Sequence, residues 1–175
     1  MIKVKQKNLQ KLAVSALLTA IICVATFVVK IPSPATNGYF NLGDCFVLLS
    51  GFILSPVYGA LSAGLGSALA DILSGYMQYA PATFVIKALM AVSAYFVAKA
   101  MNKKPLTGKI LGGTVAETIM VIGYFGYEAA ILGYGLAAAG SIFSNVLQGI
   151  IGIIAGIAVT TAVEKNKTIN SFLKR

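Results

Sequence analysis

Six apolar runs fill most of this chain, and its lysines collect in the gaps between them and at its two ends. A helix needs about 20 apolar residues, within a range of roughly 17–25, to cross a hydrocarbon core about 30 Å thick. The runs at 12–29, 57–73, 83–100, 109–133 and 136–163 meet that length, and the run at 43–54 falls short of it. Hydrophobic residues make up 58% of the chain and charged residues 11%, with a mean hydropathy of +0.85. A soluble domain carries about 25% charged residues and could not hide so much apolar surface. These features predict an all-α integral membrane protein: one domain spanning 1–175, built as a bundle of six transmembrane helices.

Proline and glycine set the boundaries. Lys30-Ile31-Pro32-Ser33-Pro34 ends the first run, because proline has no amide donor and biases its predecessor away from helix. Ser55-Pro56 divides the second run from the third. One kinked helix over 44–73 would overshoot the bilayer at 1.5 Å per residue, so two spans are predicted there. Pro81 opens the fourth run and Gly135 marks a tight turn before the sixth. The first run lacks a small-residue cleavage site, so it is expected to be retained rather than removed as a signal peptide.

The net charge of +9 sits at the membrane edges. Lys3, Lys5, Lys7 and Lys11 precede the first run. Lys99, Lys103, Lys104 and Lys109 flank the 102–108 connector, and Lys165, Lys167, Lys174 and Arg175 form a tail that is expected to fray or lie on the surface. Six spans put all three clusters on one side, which by the positive-inside rule is the cytoplasm, so both termini are predicted to be cytoplasmic. Nucleic-acid binding would need basic residues interleaved over one folded face, and that pattern is absent. Cys23 and Cys45 are isolated, and the chain has no histidine, so neither a metal site nor a cofactor is expected. No P-loop, HExxH motif or serine nucleophile with a base is present, which argues against an enzyme and against an ATPase.

Polar side chains inside spans are costly, and each is a candidate for function or pairing. Asp71 lies near the far end of the third run and Lys87 about a turn into the fourth, so the two are expected to be level and to form a structural ion pair, with Lys87 or Asp71 alternatively a ligand contact. Glu117, Tyr124 and Glu128 share the fifth run at offsets that place them on one stripe. Asn145 and Gln148 are three apart on the sixth, hence on one face. Tyr39, Asn41, Tyr76 and Tyr79 come from the two outer loops. These ten ligand candidates converge on the outer half of the bundle and predict a pocket that opens outward. Small residues let membrane helices approach closely. Ala60, Gly64 and Ala68, with Ser62, Gly66 and Ala70, form two ladders on the third run, expected to be crowded on both sides. Gly152 and Gly156 stand at GxxxG spacing, and Ala16 and Ala20 at the same interval on the first run.

The series Tyr39-Phe40-Asn41-Leu42-Gly43-Asp44, then Gly59-Ala60, Gly64, Gly66-Ser67-Ala68-Leu69-Ala70-Asp71, then Pro81-Ala82-Thr83-Phe84 and Lys87 resembles the substrate-binding (S) component of energy-coupling factor (ECF) vitamin transporters. It is most similar to the riboflavin-type subgroup, which also holds members for pyrimidine and pyridoxine. Ala16-Leu17-Leu18-Thr19-Ala20 adds to the resemblance, which covers essentially the whole chain. The family implies a high-affinity vitamin-binding subunit in a prokaryotic plasma membrane, working with a membrane coupling protein and two ATPases. It implies docking on that coupling protein through Ala16 and Ala20, and toppling to release the cargo inside. The carboxylates of Glu117 and Glu128 favour a ligand with an amine or pyridinium group, such as an aminopyrimidine or pyridoxine. Two other readings stay open at this point. A standalone permease or channel would carry polar residues through the inner half as well, and a ligand-free membrane scaffold would use Glu117, Asn145 and Gln148 as interhelical glue.

Overall fold

The computed structural model describes residues 2–32 and 39–166. The first helix, α1 (Ile2–Val28), is longer than its apolar run. Lysine and glutamine are good helix formers, so the basic segment continues the helix instead of preceding it. A hairpin of two three-residue strands follows, β1 (Lys30–Pro32) and β2 (Tyr39–Asn41), antiparallel with Ile31 opposite Phe40. The remaining elements are α2 (Asp44–Ile53), α3 (Pro56–Leu73), α4 (Ala80–Ala100), α5 (Pro105–Ala130), a 3-10 turn (Gly135–Ala139) and α6 (Gly140–Lys165). The lysines at 167 and 174, Arg175 and the loop at 33–38 lie outside the described residues.

Pro56, Pro81 and Pro105 each stand in the first helical turn, where a missing amide leaves no bond unmade. The division at Ser55-Pro56 holds, since Leu54 and Ser55 are extended and separate two helices. Between α5 and α6 the chain turns through Gly133 and Gly135, both at positive φ, and the start predicted at 136 is 3-10 turn rather than α-helix. Five helices are long and apolar enough to cross a membrane, and α2 is the shorter sixth.

The shortness of α2 has a structural cause. β2 runs down into the bundle, and its Asn41 is buried, with the backbone N–H donating to Gln148 Oε1 at 2.7 Å. The helix therefore begins well below the end of the bundle, and its ten residues, about 15 Å, complete the crossing. Gly43 makes the junction possible: a Cβ there would fall 2.0 Å from Thr26 Oγ1 on α1.

The two ladders on α3 face different neighbours, as the sequence predicts. Gly64 lies against the Phe84 carbonyl of α4, and Gly66 against the Thr19 carbonyl of α1, where an added Cβ would come within 2.8 and 2.7 Å. On α6, Gly156 meets Leu48 and the Cys45 carbonyl of α2. Ile22, Val47, Leu48, Ala63, Met90 and Met120 form the centre of the core. Large apolar side chains such as Leu17, Val24, Ile122 and Phe143 are exposed on the outer faces, as suits a lipid solvent.

Candidate functional site

At the hairpin end of the bundle, away from the described termini, fourteen residues line one narrow crevice with about 30 Å³ of free space inside it. Eight of them are sequence-predicted: Tyr39, Asn41, Tyr79, Lys87, Tyr124, Glu128, Asn145 and Gln148. Every helix except α2 contributes a wall, along with β2 and the loop before α4.

Lys87 and Asp44 close the floor. The Lys87 ammonium pairs with Asp44 Oδ1, and the Gln148 amide donates to Asp44 Oδ2. The Met120 sulfur lies 3.2 Å from Lys87 Nζ and 3.3 Å from Gln148 Nε2. Asp44 is 1% exposed and Lys87 2%, so each charge has a partner where water cannot serve. Gln148 also holds Asn41 through its oxygen, so one side chain joins β2, α2 and α6.

This corrects the expected ion pair of Asp71 with Lys87. Because α4 starts at Ala80, Lys87 lies seven residues, or about 10 Å, below the helix start, a turn deeper than a start at 83 would put it. Asp71 is two residues from the end of α3 and so sits higher. There its Oδ1 accepts from Tyr39 Oη at 2.7 Å. Burial first, and then the Asp71 charge, push the Tyr39 phenol well above its usual pKa, so the phenol remains the donor in this bond.

Tyrosines form the upper wall. Tyr39 and Tyr76 have ring centroids 4.7 Å apart, Tyr76 packs edge-on to Tyr79 at 6.4 Å, and Tyr79 lies 6.5 Å from Tyr124. Tyr76 thus backs the lining from behind Tyr39. Glu128 anchors the opposite side, accepting from Tyr79 Oη at 3.1 Å and from Ser141 Oγ. Tyr124 Oη and Thr83 Oγ1 are bonded at 2.9 Å.

Glu117 is buried, as its stripe with Tyr124 and Glu128 predicts, but it does not line this crevice. It lies one layer below the floor, against Gly149 and Gly152 of α6, where a Cβ at Gly152 would meet its Oε1 at 2.9 Å and Asp44 Cβ at 3.1 Å. Sequence reasoning missed Thr26, Ser67, Thr83, Ser141 and Ser144 as lining residues, and it did not count Asp44 as part of the site. The one available signal was that Ser67 and Asp71 stand four apart and share a face of α3.

A polar, tyrosine-walled crevice sunk into one end of an otherwise apolar helical bundle defines a multi-pass membrane protein that binds a small solute. A sequence model of the ECF-type riboflavin transporter S component family matches residues 6–165. The chain superimposes on the solved S component of a bacterial ECF transporter with a TM-score of 0.69 at 27% identity, covering 96% of this chain and 99% of that one. It is 25% identical over 173 residues to the thiamine precursor transporter HmpT of Lactococcus lactis subsp. cremoris, spanning 96% of each chain. It is also 36% identical over 137 residues to an uncharacterized protein of Pyrococcus woesei, covering 77% of this chain and 88% of that protein. The chain belongs to the ECF-type riboflavin transporter S component family: it is a vitamin-binding transporter subunit and not an enzyme.

Proposed function

We propose that this chain captures a small water-soluble vitamin or vitamin precursor, of the pyrimidine, pyridoxine or riboflavin class, in the hairpin-end crevice. It acts as the high-affinity binding subunit of an importer in a prokaryotic plasma membrane, a single membrane domain with six spans, both termini cytoplasmic and the crevice facing outward. Uptake is powered by a separate coupling protein and two ATPases. The observation that carries this reading is the closed floor. Beneath Asp44, Lys87 and Gln148 the buried Glu117 is the one acidic side chain beside a core of Leu48, Met90, Ala91, Ala94 and Ala116, and this mostly apolar packing favours a binding cup over a continuous channel.

Tyr39, Asn41, Tyr79, Lys87, Tyr124, Glu128, Asn145 and Gln148 supply the ligand contacts, and Tyr76 holds the Tyr39 ring in place. Ala16 and Ala20 are both exposed on α1, with no neighbour packed over them, which supports their use as the docking face for the coupling protein.

Thermal unfolding of the detergent-purified chain, with and without B vitamins and their precursors, tests the reading. A tight ligand at 100-fold its Kd adds about 2.7 kcal/mol of stability by mass action. One compound should raise the melting temperature by several degrees and the others should not. A folded protein indifferent to the whole panel would count against vitamin binding.

A further inference from the structure

Five buried side-chain oxygens have no hydrogen-bond partner among the described residues: Thr26 Oγ1, Ser67 Oγ, Asp71 Oδ2 and both oxygens of Glu117. The Glu117 pair lies below the floor. The other three belong to residues that line the crevice, and all three stand on one wall, formed by α1 and α3. Thr26 is 3% exposed, Ser67 1% and Asp71 4%, so bulk water does not serve them. Glu128 accepts from Tyr79 and Ser141, and Gln148 is engaged at both its oxygen and its nitrogen. Thr83 Oγ1, bonded to Tyr124 Oη, also lies within reach of the Asp71 carboxylate, so, Tyr39 apart, it is the one described hydroxyl that competes for it.

Buried polar groups in folded proteins are hydrogen-bonded with few exceptions, and a cluster of exceptions facing one cavity calls for a missing partner. We propose that Thr26, Ser67 and Asp71 read the polar edge of the ligand, and that this edge is an N–H donor beside an acceptor on a planar nitrogen heterocycle. The proposal rests on the vitamin-binding reading above and narrows it.

The chemistry follows from the three groups. Tyr39 fixes Asp71 through Oδ1, which leaves Oδ2 as an acceptor in need of a donor. Ser67 lies one turn below Asp71 on the same face of α3, and its hydroxyl, like that of Thr26, can donate to a ring nitrogen or a carbonyl. Tyr39 and Tyr124, both lining the crevice, offer ring faces for a planar ligand. An aminopyrimidine meets this wall with its exocyclic amine next to a ring nitrogen. A flavin meets it with an imide N–H between two carbonyls. Pyridoxine meets it only in part: its pyridinium N–H can donate to Asp71, but the carbons beside that nitrogen carry no amine or carbonyl, so the Ser67 and Thr26 hydroxyls stay unpaired.

The test is isothermal titration of the full chain in detergent with three probes: 4-amino-5-hydroxymethyl-2-methylpyrimidine, riboflavin and pyridoxine. One of the first two should bind the wild type, and pyridoxine should bind more weakly than that compound. Asp71→Asn should weaken that binding by about tenfold and Ser67→Ala by about threefold, since bonds to charged acceptors are the stronger ones. Methylating the ligand's N–H should weaken binding to the wild type and leave Asp71→Asn with nothing further to lose. Because Ser67→Ala removes an unpartnered hydroxyl and the Asp71→Asn amide oxygen can still accept from Tyr39, the ligand-free proteins should melt close to the wild type. A purely structural role would instead lower that melting point and leave affinity alone. Affinity within twofold of wild type in both variants, or binding of pyridoxine alone, overturns this proposal and leaves vitamin binding intact. Failure of all three probes to bind the folded wild type overturns both.

Discussion

The two ends of the bundle hold their helices together by a different balance of means. Lipid tails are as apolar as leucine, so burying apolar side chains gives membrane helices little reason to associate, and close packing or polar contacts must do so. At the hairpin end the contacts are polar: Asp44 with Lys87 and Gln148, Glu128 with Tyr79 and Ser141, Asp71 with Tyr39. At the other end glycines set against backbone carbonyls do much of the holding, beside the Ser15–Ser62 hydroxyl pair of α1 and α3. Gly51 faces Ala91, Gly112 faces Ala94 and Gly108 faces Ala98, and a Cβ at these positions would approach the carbonyl oxygens to 2.6, 3.0 and 3.1 Å. Glycine contacts bring backbones together. Side-chain networks hold backbones apart, and the space they keep is where a ligand can go.

Breaking the polar end should have the largest effect. Asp44→Ala leaves the Lys87 charge and the Gln148 amide without their acceptor in a site closed to water. Removing one member of a buried pair typically costs about 3–5 kcal/mol. We expect a loss of that order in unfolding measurements, together with loss of ligand binding. Replacing both charged residues, Asp44→Asn with Lys87→Met, should recover part of the stability and none of the binding. A single Asp44→Ala variant within 1 kcal/mol of wild type would show that the floor is not held by this pair.

The glycine end should separate stability from affinity. Gly51→Ala places a methyl 2.6 Å from the Ala91 carbonyl oxygen, so α2 and α4 must part. Overpacking costs about 1–3 kcal/mol, and the better helix propensity of alanine returns up to about 1 of that. A net loss of about 1–2 kcal/mol with unchanged Kd is expected, read by thermal unfolding and titration on one preparation. A change in Kd would mean that the two ends are mechanically linked.

What the sequence disclosed follows the same division. Helix boundaries were partly readable because proline and glycine act locally: Pro56 and Pro81 mark starts, whereas Pro105, read as part of the 102–108 connector, begins α5 four residues before the predicted 109. The crowding of α3 was readable because small residues at an interval of four have one face to present. The site was half readable. Buried acids and amides stand out in apolar runs, which is how Glu128, Asn145 and Gln148 were found. Depth was harder. Moving the start of α4 by three residues took Lys87 from Asp71 to Asp44, and Glu117 lies on the right stripe but a layer too low. The hydroxyls were not readable at all. Ser67 on the cavity wall looks in sequence like Thr160, whose hydroxyl only returns to the Gly156 carbonyl of its own helix at 2.7 Å.

The smallest effect is expected where the two rules meet the surface. Lys109 on α5 and Glu164 on α6 form the second ion pair among the described residues, at the terminal end. Its Glu164 side chain is 43% exposed, against 1% for Asp44 in the floor pair, so water already solvates one partner. The Lys109 stem is buried, yet a lysine this close to the helix start can extend its ammonium to the interface if its partner is lost. Glu164→Gln should therefore cost less than about 1 kcal/mol in low salt, the range of exposed pairs, and less still at high ionic strength. Unfolding measured at two salt concentrations decides the point. A loss matching that of Asp44→Ala and insensitive to salt would mean that this end, too, is held by a desolvated charge, and the division between a polar end and a close-packed end would fail.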